Sequence, residues 1–229
     1  MSKNTVNRRE FMKIMGTMVG ATALAGCASG QQSGDTGTGE AFYTGTVIRT
    51  LSNEYHAAWN RGGRIFAESI GQGQYNRPLL CEGDSEKQLT LMQALISEGG
   101  ENVVFNIDPN QSPDAKPIAD MCAEAKVYFM TQWNKPDDLH PWDYDPYWVA
   151  HMGVDGVPSG YYVATELFKS MGGEGQIVAL QGLLANVPAI QRFDGLKQAL
   201  DENPGIELLE DQTAEWDRTK AVSVTEAFL

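Results

Sequence analysis

Short apolar runs alternate with longer amphipathic stretches along the chain from Thr46 onward. The short runs suit buried strands, and the longer stretches repeat their apolar positions with the period of a helix. This alternation predicts βα units around parallel sheets that are buried on both faces. The predicted strands are 46–51, 78–81, 102–107, 126–131, 148–152, 176–181 and 206–212, and the predicted helices are 55–70, 85–97, 114–124, 159–171, 188–202 and 219–229.

Segment 133–148 interrupts this rhythm. It combines tryptophan and tyrosine with prolines, histidine and acidic residues, and it has no periodicity. A loop of this length inside a compact domain is usually functional or disordered, and the aromatic content argues against disorder. The carboxylates of Asp143 and Asp145 beside His140 leave a metal or acid–base site open. The prolines and rings favour a loop that lines or covers a cleft, and we expect no metal.

The first residues are typical of an export signal, which the mature protein would lack. Arg8 and Arg9 precede an uncharged stretch, 14–25, that is too short to span a bilayer. The paired arginines resemble the twin-arginine signal. Residues 24–27, Leu-Ala-Gly-Cys, resemble the bacterial lipobox, which implies acylation of Cys27 after removal of 1–26; an ordinary signal with an incidental Cys27 is the alternative. Residues 27–44, rich in Gly, Ser and Thr, then suit a flexible tether.

The charge balance narrows the classes of partner. The chain has 17 basic and 30 acidic residues and a formal net charge of −13. Such a surface repels nucleic acid and anionic lipid head groups, so we expect membrane contact only through the lipid anchor. The remaining cysteines, Cys81 and Cys122, lie in apolar contexts. Two buried free thiols are therefore expected, with a disulfide bridge as the alternative.

Four stretches together resemble the type I periplasmic binding proteins, specifically the ribose and other monosaccharide binders of ABC importers. They are 50–55 (TLSNEY), 85–106 (SEKQL through VVFN), 181–195 (QG through QRFDG) and 212–218 (QTAEWDR). The resemblance implies an α/β fold of two doubly wound parallel-sheet lobes, 45–152 and 153–229, with the second lobe incomplete in this chain. It also implies a monomer at the outer face of the cytoplasmic membrane or in the periplasm. Such a protein closes on a sugar-like ligand, needs no cofactor and delivers the ligand to an ABC permease.

Arg192 and Trp216 match the positions at which this family contacts its ligand. A guanidinium fork can bridge a ring oxygen and a neighbouring hydroxyl, and an indole can stack on the apolar face of a sugar ring. The alternative for Arg192 is a surface ion pair with Asp194 or Glu215, and the alternative for Trp216 is a place in the core.

Two strand ends contribute further candidates through the same resemblance. Asn53 and Tyr55 follow the first strand and are expected to face the cleft, although Asn53 also suits a helix cap. Asn106 ends the third predicted strand and matches a family asparagine.

The chain departs from the family pattern after the fourth strand. Many monosaccharide binders have an aspartate there, whereas this chain has Gln132, Trp133 and Asn134. These residues are expected to replace the aspartate with amide hydrogen bonds and a second aromatic face. That change leaves open a larger, modified or less hydroxylated ligand, or a cyclic polyol. Asp155, at the expected lobe crossing, suits either ligand contact or a helix cap.

Two other functions compete with import. An exported hydrolase is disfavoured because the sequence has no Gly-x-Ser-x-Gly elbow, no His-Glu-x-x-His helix and no recognisable Cys–His pair. We therefore expect a binding protein and not an enzyme. A receptor that senses a sugar without transporting it would share every feature above.

Overall fold

The structure is a computed structural model that describes residues 41–229. The expected export signal, Cys27 and most of the expected tether lie outside these residues. The first strand begins at Tyr43, two residues before the expected start of the first lobe at residue 45. The last residues assigned to the tether therefore belong to the sheet.

Strands and helices alternate through the described residues, as the sequence pattern predicts. The strands are β1 (Tyr43–Ile48), β2 (Asn76–Leu80), β3 (Val103–Ile107), β4 (Tyr128–Gln132), β5 (Trp148–Met152), β6 (Gly175–Gln181) and β7 (Ile206–Thr213). The helices are α1 (Glu54–Ser69), α2 (Ser85–Gly99), α3 (Ala115–Glu124), α4 (Gly156–Ser170), α5 (Val187–Glu202) and α6 (Arg218–Phe228). Between Ala41 and Leu229, no helix has the length and apolar character needed to cross a bilayer.

Five strands form one parallel sheet in the order β2-β1-β3-β4-β5. This is one of the two common orders of doubly wound folds, so the prediction for the first sheet is confirmed. The strand order switches between β1 and β3, and a crevice opens there at the carboxyl ends of the strands. Strands β6 and β7 form a separate parallel pair.

Each sheet has its own apolar core. Phe105, Phe129 and Met92 are among the residues that fill the larger core around the five-stranded sheet. Phe168 and Ala199 belong to the smaller core, in which α4 and α5 cover β6 and β7. The two cores give each half of the crevice a packed support.

Cys81 and Cys122 are both buried and unbridged. The expectation of two free thiols is therefore confirmed. Burial raises the pKa of both thiols, because an apolar environment disfavours the thiolate.

Segment 133–148 is a long loop between β4 and β5, as predicted. It contains a short 3-10 helix, Pro141–Tyr144, whose start is capped when Asp143 Oδ2 accepts from the His140 backbone N–H at 2.8 Å. Tyr144 and Tyr147 pack against the larger core, and Trp133 reaches the crevice. In the part of the chain that the structure describes, no three potential metal ligands cluster.

Candidate functional site

A cavity of about 210 Å³ lies at the crevice, where strands of both sheets end. Residues from the ends of β1, β3 and β4 form one side, and residues after β6 and β7 form the other. Its walls consist of Arg49, Asn53, Tyr55, His56, Asp108, Pro109, Asn110, Trp133, Asn134, Asn186, Pro188, Arg192 and Trp216. The structure thus brings together six of the nine predicted site residues: Asn53, Tyr55, Trp133, Asn134, Arg192 and Trp216.

Asn53, Tyr55 and Trp133 form one wall. Asn53 caps α1, because its side-chain oxygen accepts from the Tyr55 backbone N–H at 2.9 Å. The Trp133 indole N–H donates to the Tyr55 hydroxyl at 2.5 Å, and the two rings meet edge to face. Asn53 therefore caps a helix and lines the cavity at once, and the two aromatic rings are fixed relative to each other.

Arg192 lies between two indoles. Its guanidinium carbon is 5.3 Å from the centre of the Trp133 ring and 6.0 Å from that of Trp216. Both distances are within the range of cation–π attraction. Burial lowers the pKa of the Arg192 guanidinium, because desolvation disfavours the charged form.

The alternative ion pairs of Arg192 are not formed. Asp194 pairs with Lys197 at 2.9 Å, and Glu215 pairs with Lys220 at 2.6 Å. The contact that Arg192 makes with a protein acceptor is a long one, 3.3 Å from its NH1 to the Pro188 carbonyl oxygen. Within residues 41–229, most of its five N–H donors have no protein acceptor, and Arg192 lines the cavity.

Helix packing sets the position of Arg192. α4 and α5 cross closely, and a side chain at Gly160 would overlap the backbone of Arg192. The Gln191 side-chain oxygen also accepts from the Gly156 backbone N–H, at 2.9 Å, at the first turn of α4. The arginine thus projects from a rigid helix pair.

Both cavity indoles come from backbone positions in the left-handed region. Trp133 has φ of 57°, and Trp216 has φ of 59° directly after Glu215 at 52°. Bulky residues rarely adopt this conformation, and such strain concentrates at functional sites. Gly182 lies against the Trp216 ring so closely that a Cβ would overlap it. The turn after β7 therefore holds Trp216 in an enforced position.

The cavity floor is a buried polar network centred on Asp108. Its Oδ2 lies 2.9 Å from His56 Nε2, and its Oδ1 accepts from Asn134 Nδ2 at 3.0 Å. Burial raises the pKa of the Asp108 carboxyl, while the hydrogen bonds from His56 and Asn134 oppose that shift. Because each carboxylate oxygen is hydrogen-bonded, one to His56 and the other to Asn134, Asp108 holds these two side chains in place.

Arg49 and Asn110 extend this network to the switch between β1 and β3. Arg49 NH1 donates to Asn110 Oδ1 at 2.8 Å. The Asn110 backbone N–H donates to Gln88 at 2.9 Å, and the Gln88 amide in turn donates to the Asp108 carbonyl at 2.8 Å. Gln88 thereby fixes the turn after β3, and Arg49 joins the end of β1 to that turn through Asn110.

A hydrogen bond joins the two halves of the crevice. The Ser112 hydroxyl oxygen, beyond β3, accepts from the Val187 backbone N–H at the start of α5, at 2.9 Å. Asn186 occupies the usual capping position but makes no capping bond. Ser112 therefore supplies the cap of α5 from the other side of the crevice.

Three predicted residues do not line the cavity. Asn106 lies within β3, because the strand continues to Ile107 and the cavity edge begins at Asp108. Gln132 is the buried last residue of β4, one position before the turn at Trp133. Asp155 is exposed and caps α4 by accepting from the Val157 backbone N–H at 3.0 Å. Its capping role, one of the two alternatives, is thus the one observed.

Sequence reasoning missed seven lining residues: Arg49, His56, Asp108, Pro109, Asn110, Asn186 and Pro188. Arg49 and Asp108 follow β1 and β3 directly, so the rule that ligands bind at strand ends could have found them. His56 adjoins the predicted Tyr55. Asn186 directly precedes a helix with a proline in its first turn. That position could have indicated a site residue, but it is equally typical of a helix cap.

The chain belongs to the periplasmic binding protein domain family, whose model matches residues 44–229. It is similar to a ribose import binding protein of Salmonella typhimurium, 27% identical over 95% of this chain and 68% of the relative. A ribose import binding protein of Haemophilus influenzae is 31% identical over 80% of this chain and 59% of the relative.

Among solved structures, a twin-arginine translocation pathway signal protein from Burkholderia phytofirmans is 47% identical, with a TM-score of 0.80. The match covers 82% of this chain and 58% of that protein, so the chain spans less than two thirds of its solved relative. The α/β fold with parallel sheets thus agrees with the family assignment.

Proposed function

We propose that this chain forms the binding site of an extracytoplasmic solute-binding protein that captures a sugar-like molecule for an ABC importer. The observation that carries the proposal is the position of Arg192 between Trp133 and Trp216 at the crevice. A ring with hydroxyls on its rim and apolar faces needs this combination of planar donors and aromatic surface. The names of the ribose import binding relatives support the same class of ligand.

The proposed mechanism is closure on the ligand without chemical change. The Ser112 bond to α5 holds the two sides of the crevice together, and a ligand that contacts both sides would favour this closed arrangement. A few hydrogen bonds of about 1.5–3 kcal/mol each from a charged donor would suffice for the roughly −8 kcal/mol of micromolar binding. The closed shape is then what a permease would recognise.

A thermal-shift screen of the purified chain against sugars, polyols and sugar acids tests the binding site. At least one compound is expected to raise the melting temperature, because a ligand that binds only the folded state stabilises it. Arg192→Ala and Trp216→Ala should each abolish that rise. The exposed Trp142 offers a matched control, and Trp142→Ala should leave the rise unchanged. A panel without any response would contradict the proposal.

The proposal includes export by a twin-arginine signal and attachment through an acylated Cys27, which would tether the protein at the outer face of the cytoplasmic membrane or in the periplasm. We also propose that it acts there as a monomer, as the resemblance implies. The description of the Burkholderia relative as a twin-arginine pathway protein supports the first part. Exchange of Arg8 and Arg9 for lysine should retain the protein in the cytoplasm. Cys27→Ala should move the exported protein from the membrane fraction to the soluble fraction. Unchanged fractionation in either variant would contradict the corresponding part.

A further inference from the structure

The cavity wall has a higher ratio of basic to acidic side chains than the chain as a whole. Acidic residues outnumber basic ones by 30 to 17 in the whole chain. In the cavity wall this ratio is reversed, because Arg49 and Arg192 line it together with one carboxylate, Asp108.

That carboxylate is already engaged with protein groups. Asp108 is almost fully buried, and its two oxygens are taken by His56 and Asn134 at 2.9 and 3.0 Å. The two guanidinium groups, in contrast, form no ion pair with any carboxylate of residues 41–229. Asp217 lies close enough to sense the charge of Arg49, but it is solvent-exposed and already accepts from the Lys220 backbone N–H at 2.9 Å. The cavity therefore keeps a positive local charge.

The hydrogen-bonding groups of the lining side chains also favour a negatively charged ligand. The side-chain oxygens of Asn53 and Asn110 are occupied by the Tyr55 N–H and by Arg49. Arg192 has a single long bond to the protein groups that the structure describes, and it keeps unused donors. Among the described lining residues, Asn186 Oδ1 and His56 Nδ1 are buried without a hydrogen-bond partner, so the cavity also keeps acceptor capacity. Its charged donors, however, are the guanidinium groups, and these are what an anion would engage.

A carboxylate uses the unpaired guanidinium donors of this cavity more fully than a sugar hydroxyl does. Each sugar hydroxyl brings a donor together with its acceptor oxygen, and a buried donor without an acceptor costs about 1–3 kcal/mol. A carboxylate brings two acceptor oxygens and no donor, and it matches a guanidinium fork with two parallel hydrogen bonds. The overall negative charge of the protein opposes an anion only weakly at this range, because salt screens charges beyond about 8 Å.

We infer that the cavity selects a monosaccharide-sized, hydroxylated carboxylate, that is, a sugar acid, over the neutral sugar of the same size, with Arg192 holding the carboxylate. This inference rests on the proposed function and specifies its ligand. The cavity volume of about 210 Å³ is below the roughly 300–1,000 Å³ of sites for drug-sized ligands, which agrees with a single sugar unit.

Calorimetric titration of the full chain with matched pairs tests the inference: D-glucuronate against D-glucose, D-galacturonate against D-galactose, and D-gluconate against sorbitol, with glucose 6-phosphate as a further anion. We expect at least one acid to bind ten-fold or more tightly than its neutral partner at low salt. This preference should shrink as salt is added, since the added contact is between charges.

Substitutions then assign the preference to its residue. Arg192→Gln keeps a side-chain amide but removes the charge, and it should bring the acid-to-neutral ratio close to one. Arg192→Lys keeps the charge and should retain part of the preference. Arg64→Gln, at an exposed arginine of α1 that pairs with Glu68, should leave the ratio unchanged. Circular dichroism melts of each variant separate loss of binding from loss of folding.

The outcomes separate this inference from the proposed function. Equal or tighter binding of the neutral partners would overturn the inference and leave sugar binding standing. Tighter binding of glucose 6-phosphate than of every acid would overturn the carboxylate assignment. A preference that survives in Arg192→Gln would overturn the role of Arg192. Absence of binding by every compound would overturn both proposals.

Discussion

The contact between Gly182 and Trp216 makes a sharp prediction about how the aromatic wall is held. A Cβ at residue 182 would overlap three atoms of the indole, Cζ2, Cε2 and Cη2. In Gly182→Ala the indole must therefore move. Trp216 is 41% exposed, so it can swing toward solvent without displacing the core. We expect a loss of unfolding free energy near the lower end of the about 1–3 kcal/mol that overpacking costs.

The effect on binding should exceed the effect on stability. A displaced indole forfeits about 0.5–1.5 kcal/mol of stacking and also part of the apolar area that it would bury against a ligand. Together these losses correspond to a dissociation constant about ten-fold weaker. Urea unfolding measures the stability, and calorimetric titration with the panel compound that binds most tightly measures the affinity.

Gly62→Ala is the matched control. Gly62 is an exposed position of α1, and a Cβ there would meet nothing within 4 Å. Because alanine favours a helix over glycine by about 0.5–1 kcal/mol, this variant should be slightly more stable and should bind normally. If Gly182→Ala behaved as Gly62→Ala does in both assays, the enforced position of Trp216 would be refuted.

Three further predictions concern closure, pH and thiol reactivity. Ser112→Ala removes the cap that α5 receives across the crevice and leaves the Val187 backbone N–H without its acceptor. The free energy of binding for the panel compound that binds most tightly should weaken by the roughly 1–3 kcal/mol that an unsatisfied N–H costs. Unchanged affinity would mean that this bond does not contribute to closure. Burial, with a smaller effect of nearby Lys135, lowers the pKa of His151 from 6.5 to about 4. Between these pH values the unfolded chain therefore binds more protons than the folded one. The free energy of unfolding should fall as the pH drops from about 6.5 to 4. His151→Asn should remove up to about 2 kcal/mol of that fall, less than the full shift because the ring is partly hydrated, and a variant with the wild-type slope would contradict this assignment. Cys81 and Cys122 should resist iodoacetamide in the native protein and react in urea, as peptide mapping would detect; rapid native labelling would contradict their burial.

Much of the fold could be predicted because apolar runs alternate with amphipathic stretches and the helices have clear ends. Asp84 and Gly100, for example, mark the start and the end of α2 as their residue types suggest. The prediction that the sheets are buried on both faces is wrong for β6 and β7, because α4 and α5 cover them on one face and most of their residues are exposed or half-buried. Boundaries were harder to predict, since apolar runs do not show where pairing stops. β1 begins at Tyr43 and ends at Ile48, whereas the pattern favoured a strand that ends at Leu51.

The same uncertainty explains which site residues were missed. A shift of one or two positions at a strand end decides whether a side chain faces the cavity, and it put Asn106 in the place that Asp108 occupies. Arg192 and Trp216 could be predicted because each lies in a short stretch, 181–195 or 212–218, that resembles the family. The buried pairing of Asp108 with His56 could not, because it joins residues 52 positions apart and depends on the relative placement of β3 and α1.

The central claim is that a ligand is held in the crevice between the Arg192 guanidinium and the two indoles. A crystal structure of the chain with the panel compound that gives the largest thermal shift tests this claim most directly. The account predicts the compound in the cavity at the ends of β1, β3 and β4, hydrogen-bonded to Arg192 and in contact with Trp133 and Trp216. A compound bound at another surface, with this cavity filled by solvent, would contradict it.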